Sequence, residues 1–193
     1  MDPTLRELLN ELEQAGRDYD AHEPVHQKRM RNLEPETAHL ISILVRSRRC
    51  QSLLEIGTSN GYSTLWLAWA ARHTGGHITS LERLPEKHAL AAANLNRAGL
   101  SDYVDLITGD ATEIVAGLPG PFDFVLFDAD RISAPEQLRL LLPRLLPGAL
   151  VLADNVLSHP QEIAAYLAAV ESLPDFDHTV VPVGKGLSIA YKS

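Results

Sequence analysis

Short apolar runs alternate with longer amphipathic stretches over most of the chain after residue 35. The runs typical of buried strands are Ser52–Ile56, His77–Leu81, Tyr103–Ile107, Phe122–Phe127 and Leu150–Ala153. The stretches that follow them repeat apolar residues at helical spacing. The helices predicted there are Tyr62–Arg72, Pro85–Arg97, Ala111–Leu118, Ala134–Leu146 and His159–Ser172. Alternating apolar strands and helices indicate a parallel sheet with helices on both faces.

The two ends of the chain depart from this alternation. Leu5–Leu12 is predicted to be a helix, whereas the polar stretch Arg17–Leu33 contains a proline and is predicted to be a loop or a broken helix. Another helix is expected to begin at Pro35, because proline suits the first helical position. Asp177–Val181 and Leu187–Tyr191 flank a glycine-rich turn and are predicted to form an antiparallel hairpin. The expected fold is therefore α/β, a doubly wound, mostly parallel seven-stranded sheet with a C-terminal antiparallel hairpin.

Composition narrows the classes of function. The 193 residues suit one domain, and the single cysteine, Cys50, excludes a disulfide scaffold and a zinc ribbon. The net charge of −8 argues against a nucleic-acid partner. No apolar run approaches the ~20 residues that span a bilayer, and the acidic N-terminal stretch is unlike a signal peptide. We therefore expect a cytoplasmic protein without a membrane partner.

Polar and mostly acidic residues follow the predicted strands at their C-terminal ends. These residues are Glu55, Gly57, Glu82, Asp110, Asp128, Asp154 and Asn155. In a doubly wound sheet, ligands bind beyond the C-terminal ends of the strands. The pattern therefore predicts a ligand site along this edge of the sheet.

The glycine-containing stretch Glu55–Ser63 joins the first strand to a helix. Gly57 and Gly61 allow a tight turn and a close approach of the backbone to a ligand. Their spacing differs from the G-x-G-x-x-G of dinucleotide-binding proteins, whose second glycine accommodates a pyrophosphate. Glu82 ends the second strand, where a carboxylate can accept hydrogen bonds from ribose hydroxyls. The combination favours a nucleoside without a pyrophosphate; a tight turn beside an incidental surface glutamate is the alternative.

Residues 53–64 closely resemble motif I of S-adenosylmethionine-dependent methyltransferases, in particular the cation-dependent O-methyltransferases that include the catechol and caffeoyl-CoA enzymes. The resemblance spans about residues 30–193. It includes Glu34–Glu36, Gly109–Ala111, Phe127–Asp130, Asp154–Asn155 and Pro182–Leu187. It implies methyl transfer to a hydroxyl of a small, catechol-like aromatic acceptor by a single Rossmann-like class I methyltransferase domain over residues 1–193. The core would be 35–193, with a helical or loop extension at 1–34, and a homodimer would be consistent with related bacterial enzymes, which are often dimers.

The resemblance also assigns nine residues to S-adenosylmethionine. They are Glu55, Gly57, Thr58 and Ser63 at the methionine end, with Gly61 in the same loop, Glu82 at the ribose, Asp110 and Ala111 beside the adenine, and Asp130 near the methionyl part.

A divalent cation is expected at Asp128, Asp154 and Asn155, which follow two neighbouring strands. Two carboxylates and an amide oxygen suit Mg²⁺ or Ca²⁺. In the family that the chain resembles, these positions hold a cation, with Mg²⁺ expected here and Ca²⁺ or Mn²⁺ as alternatives. The cation would lower the pKa of the acceptor hydroxyl and orient it. As an alternative, Asp154 and Asn155 could cap the next helix and Asp128 could serve the cofactor alone.

Position 131 departs from the family pattern. A lysine that serves as the base, or assists it, is common there, whereas this chain has Arg131. Arginine stays protonated and cannot accept the proton, although it can stabilise a phenolate. We assign catalytic roles to Asp128 and Arg131 and leave three explanations open. Either the metal alone lowers the pKa of the acceptor hydroxyl, or a group other than residue 131 takes the proton, or the reaction differs from that of the family.

A second departure concerns the acceptor side. Val156–Pro160 leads almost at once from the Asp154–Asn155 pair into the next helix, so the acceptor site is expected to be open or to be completed by residues within Arg17–Arg31. Three rival functions remain. They are a metal-independent methyltransferase of the same fold, a cofactor-binding protein without catalysis, and a nicotinamide-dependent oxidoreductase, which the missing G-x-G-x-x-G disfavours.

Overall fold

A seven-stranded sheet in the order β3-β2-β1-β4-β5-β7-β6 forms the centre of the molecule in the computed structural model, which describes all 193 residues. The strands are β1 (Ser52–Ile56), β2 (His77–Glu82), β3 (Val104–Thr108), β4 (Phe122–Phe127), β5 (Leu145–Ala153), β6 (Phe176–Val181) and β7 (Leu187–Lys192). Strands β1 to β5 pair in parallel, and β7 runs antiparallel to both β5 and β6. The predicted fold class, including the C-terminal hairpin, is confirmed.

Seven α-helices connect and cover the strands. They are α1 (Pro3–His22), α2 (Pro35–Arg48), α3 (Tyr62–Thr74), α4 (Pro85–Ala98), α5 (Ala111–Gly117), α6 (Ala134–Leu141) and α7 (Pro160–Glu171), with 3₁₀ turns at His26–Lys28, Ser101–Tyr103 and Leu142–Arg144. Several begin at a proline, whose fixed φ suits the first helical position. Helices α3 and α4 end at the left-handed glycines Gly75 and Gly99. None of these helices is long and apolar enough to cross a membrane.

Two apolar clusters pack on the opposite faces of the sheet. Neighbouring strand residues belong to different clusters, since successive side chains of a strand point to opposite faces. Leu53 and Phe124 lie in the larger cluster with residues of α1, α2, α3 and α4. Leu54 and Val125 lie in the other with residues of α5, α6 and α7. The sheet is thus covered on both sides, and its C-terminal edge is left for ligands.

The N-terminal helix is longer than predicted. The stretch Arg17–Leu33, predicted to be a loop or a broken helix, is a broken helix, because α1 continues to His22 and a 3₁₀ turn follows at His26–Lys28. Polar pairs along its exposed side stabilise this extension, including Arg17 with Glu13 at 3.1 Å. These pairs carry no apolar periodicity, which explains why the hydrophobic pattern missed them.

Strand β5 begins at Leu145, five residues before the predicted start at Leu150. The helix predicted over Ala134–Leu146 accordingly ends at Leu141. Pro147 and Gly148, which precede the predicted strand and are residues typical of turns, lie inside the observed strand. The register between β4 and β5 shifts between Phe122 and Phe124, and such irregularities accommodate proline and glycine within a sheet.

Cys50 lies just before β1 and is buried, with 3% of its surface exposed. Burial raises the pKa of its thiol to about 12. The thiol is therefore protonated in the folded protein and is no candidate nucleophile.

Candidate active site

The C-terminal ends of β1, β4 and β5 are held side by side by backbone hydrogen bonds. The amide of Asp128 donates to the carbonyl of Ile56 at 2.9 Å, and the amide of Asp154 donates to the carbonyl of Phe127 at 3.0 Å. These bonds continue the parallel ladders for one residue beyond each strand. The side chains that follow the strands are thereby brought to one edge of the sheet, as predicted.

Two glycines shape the loop between β1 and α3. Gly57 has a φ of +109°, and a Cβ added there would lie 2.2 Å from the carbonyl oxygen of Asp128. Gly61 precedes α3 with a φ of +86°, and its Cβ would lie 3.1 Å from the backbone of Ala91 in α4. A side chain at position 57 would therefore collide with backbone. The loop lies directly against the end of β4 because this position is glycine.

Glu55 lies beneath the loop and has no exposed surface. Its carboxylate accepts hydrogen bonds from the hydroxyls of Ser63 at 2.5 Å, Thr64 at 2.5 Å and Ser80 at 2.6 Å. The hydroxyl of Thr58 lies 2.6 Å from that of Ser80 and extends this network. Burial raises the pKa of Glu55. In this structure Glu55 supports the loop through hydroxyl groups, and its expected contact with the cofactor stays a prediction.

Glu82 is partly buried at the end of β2. One carboxylate oxygen accepts from the amide of Ser59 at 2.8 Å and the other from the amide of Leu84 at 2.9 Å. A carboxylate has about four acceptor positions, so each oxygen can accept a further hydrogen bond. The geometry suits the predicted contact with two ribose hydroxyls.

Asp110 and Asp130, the two other predicted cofactor carboxylates, are exposed and hold turns at the same edge. Asp110 caps α5 by accepting from the amide of Thr112 at 2.9 Å. Asp130 accepts from the hydroxyl of Ser133 at 2.6 Å. Ala111, the first residue of α5, is partly exposed beside Asp110. These positions are accessible to a ligand, and their roles stay predictions.

Residues 29–31, here called the strap, cross the glycine loop. The hydroxyl of Ser59 in the loop donates to the carbonyl of Met30 at 2.7 Å. The ammonium of Lys87 in α4 donates to the carbonyl of Arg29 at 2.5 Å. The N-terminal region is therefore joined to the predicted cofactor site. The sequence only indicated that this region faces the acceptor.

Asp20 of α1 anchors the strap from the other side. Its carboxylate accepts from the amides of Met30 at 2.6 Å and Arg31 at 2.8 Å. Arg31 adopts a left-handed φ of 49°. Burial lowers the pKa of its guanidinium, and the nearby charge of Arg131 acts in the same direction. The strap thus brings a second arginine close to the acidic strand ends.

Asp128, Asp154 and Asn155, the predicted metal ligands, lie together. The Asn155 amide nitrogen donates to Asp128 at 3.3 Å. Asp154 is 4% exposed, and its buried Oδ1 has no hydrogen-bond partner. Burial raises the pKa of Asp154 to about 7, and the charge of Glu34 acts in the same direction. Burial and the charge of Asp154 raise the pKa of Asp128 well above its usual value.

The two carboxyl groups repel each other when both are ionised, and a bound cation would relieve this repulsion. No group of three or more histidine, cysteine, aspartate or glutamate side chains is placed to hold a metal ion. The predicted set contains only two such side chains, Asp128 and Asp154, together with the amide of Asn155. The cation therefore stays a proposal.

Arg131 lies beside the acidic pair with only 14% of its side chain exposed. One guanidinium nitrogen donates to Glu162 of α7 at 3.1 Å, and the buried Nε has no partner. The charge of Arg131 lowers the pKa values of Asp128 and Asp154, against the larger effect of burial. A fixed positive charge therefore faces the predicted metal site.

A further ion pair joins distant parts of the chain next to this site. The ammonium of Lys185, in the turn between β6 and β7, lies 2.5 Å from Oε1 of Glu34, the residue before α2. Oε2 of Glu34 and the hydroxyl of Thr37 are both buried without a partner. Both segments belong to the part of the chain that resembles the O-methyltransferases, but no pattern in the sequence indicates this contact.

Cavity size alone does not mark the site. A hollow of about 10 Å³ lies among Asp128, Arg131 and Asp154, which is room for about one water molecule. A larger hollow of about 410 Å³ lies against α1, where charged side chains such as Arg72 and Arg97 line it, away from the strand ends. The convergence of polar groups at the strand ends identifies the site instead.

Comparison with known proteins matches the same region of the chain. A family model described as a methyltransferase domain matches residues 54–156. The chain is 37% identical over 130 residues to a catechol O-methyltransferase of Niastella koreensis, and the matched region covers 65% of this chain and 58% of that relative. It is 35% identical over 118 residues to a catechol O-methyltransferase of Mycobacterium tuberculosis, and that matched region covers 61% of this chain and 53% of the relative. The chain thus spans a little over half the length of these curated relatives.

A solved structure extends the likeness to the whole chain. The O-methyltransferase from Bacillus cereus, in complex with S-adenosylhomocysteine, superposes with a TM-score of 0.82 at 28% identity and covers 100% of this chain and 92% of that chain. All nine predicted cofactor residues and all three predicted metal ligands lie within the span matched by the family. Glu34 and Lys185 lie outside it.

Proposed function

Because the chain belongs to the family of methyltransferase domains, we propose that it transfers a methyl group from S-adenosylmethionine to a hydroxyl of a small, catechol-like aromatic acceptor. The observation that carries this proposal is the contact of Gly57 with the backbone of Asp128. This contact supports the proposal because the loop suited to the cofactor then adjoins the end of β4, where the acidic group suited to the acceptor begins. The relatives named as catechol O-methyltransferases support the acceptor class.

On the cofactor side, we assign the ribose hydroxyls to Glu82, whose two oxygens each keep a free acceptor position. The glycine loop, with Gly57, Thr58, Gly61 and Ser63 above the buried Glu55, would hold the methionine end. Asp110 and Ala111 would lie beside the adenine, and Asp130 near the methionyl part. The strap would restrict the exit of the cofactor, because it is bonded to the same loop.

On the acceptor side, Asp128, Asp154 and Asn155 would hold a divalent cation, Mg²⁺ in the first place, with Ca²⁺ or Mn²⁺ as alternatives. The unpartnered oxygen of Asp154 and the raised pKa values of both carboxyl groups fit this assignment. When bound, the cation would act as a Lewis acid that lowers the pKa of the acceptor hydroxyl.

Arg131 would stabilise the negative charge that develops on the acceptor oxygen. Its guanidinium is fixed by Glu162 and has an unused donor in Nε. It remains protonated and accepts no proton. Bound S-adenosylmethionine would supply the methyl group for a single displacement at sulfur, and the residues on the two sides of the site would contribute by holding both reactants in line.

Two exposed apolar side chains favour an aromatic acceptor. Ile132 follows β4 and is 76% exposed, and Leu157 follows β5 and is 55% exposed. Both lie in loops that leave the acidic strand ends. Apolar surface next to polar groups is typical of sites for small organic ligands.

The test is a calorimetric titration with S-adenosylhomocysteine with and without Mg²⁺, followed by assay of methyl transfer to a panel of catechols. We expect binding of S-adenosylhomocysteine and Mg²⁺-dependent transfer. Asp154→Ala should keep this binding and lose Mg²⁺-dependent transfer, whereas the exposed Asp102→Ala should change neither. Absence of S-adenosylhomocysteine binding would overturn the assignment of the glycine loop.

A metal-independent transferase of the same fold is the second candidate. Arg131 favours it, because its guanidinium already supplies a positive charge at the acidic pair. Transfer that persists in a chelator and in Asp154→Ala would establish this candidate and exclude the cation. Tight binding of S-adenosylhomocysteine without transfer to any acceptor would indicate a cofactor-binding protein without catalysis.

A further inference from the structure

Glu34 presents one free carboxylate oxygen next to the acidic strand ends. Its Oε1 is held by the ammonium of Lys185 at 2.5 Å. Its Oε2 is buried and has no hydrogen-bond partner. Leaving a buried acceptor unpaired costs about 1–3 kcal/mol, and more for a charged group. Such an atom at the edge of a ligand site therefore indicates that a bound molecule supplies the missing donor.

Two other oxygens at this edge of the sheet are also buried without a partner. They belong to Thr37, which has no exposed surface, and to Asp154, which is 4% exposed. A Cβ on Gly184 would lie 2.4 Å from the Thr37 hydroxyl and 2.8 Å from Oε2 of Glu34. The glycine thus allows the turn between β6 and β7 to pack directly on both groups. The charge of Glu34 also acts on Asp154 and Asp128, which places it within electrostatic reach of the acidic pair.

The transfer reaction requires a proton acceptor that Arg131 cannot provide. Lys185 is engaged with Glu34 and, as an ammonium, has no acceptor position. His159 is exposed, and its Nδ1 lies 2.8 Å from the hydroxyl of Ser158. In the proposed site, the carboxylates of Asp128 and Asp154 would hold the cation. Glu34 is the remaining nearby carboxylate with a free, buried oxygen.

We propose that Glu34 accepts the proton of the acceptor hydroxyl during methyl transfer, with Lys185 fixing its orientation. This inference rests on the proposed function. The proton moves to Oε2 of Glu34 while the hydroxyl oxygen forms a bond to the methyl carbon. The bond between that carbon and sulfur breaks, and its electron pair stays on sulfur. The products are S-adenosylhomocysteine, the methyl ether and a protonated Glu34, which returns its proton to water.

The experiment compares two acceptors in Glu34→Gln and in the matched control Glu36→Gln, which changes an exposed residue two positions further along, in the first turn of α2. One acceptor is catechol, and the other is 4-nitrocatechol, whose hydroxyl is already ionised at mildly alkaline pH. Loss of a general base costs about 10²–10⁴-fold in rate. We expect that loss in kcat for catechol with Glu34→Gln, and less than about tenfold for 4-nitrocatechol. Glu36→Gln should change neither rate.

Two binding measurements separate this role from others. The Kd values for S-adenosylhomocysteine and for Mn²⁺ should be the same in Glu34→Gln as in the unaltered protein. Lys185→Met should lower the rate with catechol more than the rate with 4-nitrocatechol. Because Lys185 lies at the surface, this variant tests the role of Glu34 without changing a buried side chain.

Other results would overturn the inference. An equal loss with both acceptors would show that Glu34 does not take the proton. Loss of Mn²⁺ binding in Glu34→Gln would make it a metal ligand instead. Absence of transfer by the unaltered protein to every acceptor would overturn the proposed function, and the role of Glu34 with it.

Discussion

The hydroxyl of Ser59 donates a hydrogen bond of 2.7 Å to the carbonyl oxygen of Met30. The backbone amide of the same serine donates to Glu82 at 2.8 Å. One loop residue therefore connects the strap to the carboxylate that we assign to the ribose. Movement of the strap and occupancy of the ribose site should be linked, because both depend on the position of Ser59.

Removal of the Asp20 carboxylate, which anchors the strap, should make the strap easier for a protease to cleave. Asp20→Ala deletes two charge-assisted hydrogen bonds, to the amides of Met30 and Arg31, and each such bond is worth about 1.5–3 kcal/mol. Loss of one of these bonds alone exceeds the about 1.4 kcal/mol that corresponds to a tenfold change, so we expect trypsin to cleave at Lys28, Arg29 or Arg31 at least about tenfold faster.

The control is Asp18→Ala on the same helix, whose exposed carboxylate accepts only from Gln14. It should be cleaved at the rate of the unaltered protein. Equal cleavage of both variants would show that Asp20 does not hold the strap.

Glu82→Gln should weaken binding of S-adenosylhomocysteine. The amide keeps the size of the side chain but replaces a charged double acceptor by one acceptor and one donor. Loss of a charge-assisted hydrogen bond of about 1.5–3 kcal/mol raises Kd by about 10- to 150-fold. Calorimetric titration measures this change. Glu86→Gln, an exposed residue of α4, should leave Kd unchanged, and an unaltered Kd in Glu82→Gln would remove Glu82 from the site.

The buried carboxyl of Glu55 should make stability depend on pH. Burial raises the pKa of Glu55 in the folded protein, so the folded state retains a proton that the unfolded state releases above its usual pKa of about 4.3. The associated stability is full below that pH and is lost as pH rises through the raised pKa, with a slope of about 1.4 kcal/mol per pH unit. Urea unfolding of the unaltered protein and of Glu55→Gln over this range measures the difference. The free energy of unfolding should fall more steeply in the unaltered protein, and parallel profiles would contradict the assignment.

Gly57→Ala should destabilise the fold more than Gly75→Ala does. Both glycines have a positive φ, +109° and +74°, but only Gly57 has backbone within 4 Å of its added Cβ. The left-handed conformation costs about 1–2 kcal/mol at each position. The collision with Asp128 adds about 1–3 kcal/mol at position 57. Thermal or urea unfolding measures both variants, and equal losses would show that the loop can move away from β4.

Much of the fold could be predicted because hydrophobic pattern and local geometry agree. Phe122–Phe127 is a strand with the bounds expected from its apolar run. The start of β5 was missed because Pro147 and Gly148 resemble a turn in isolation. Only pairing with β4, a non-local contact, makes them part of a strand. Helix α1 was underestimated because polar pairs stabilise its second half.

The site was predictable to the extent that strand order brings residues together. The ends of β4 and β5 are neighbours in any sheet of this topology, so Asp128 and Asp154 could be placed side by side from sequence. The pair of Glu34 and Lys185 could not, because 150 residues separate them and neither ends a parallel strand. The anchoring of the strap by Asp20 could not be predicted for a similar reason, since Asp20 lay in the stretch Arg17–Leu33, for which only a loop or a broken helix was predicted.

Cys50 gives the protein a built-in reporter of its own unfolding. It is the single thiol of the chain, and reaction with a maleimide or a disulfide reagent requires both access and the thiolate form. The folded protein denies both, because the side chain is buried and its pKa is raised to about 12. The rate of labelling therefore reports how often the segment at the beginning of β1 opens to solvent. A ligand that makes this opening rarer would slow the labelling of Cys50, and no probe needs to be engineered into the chain.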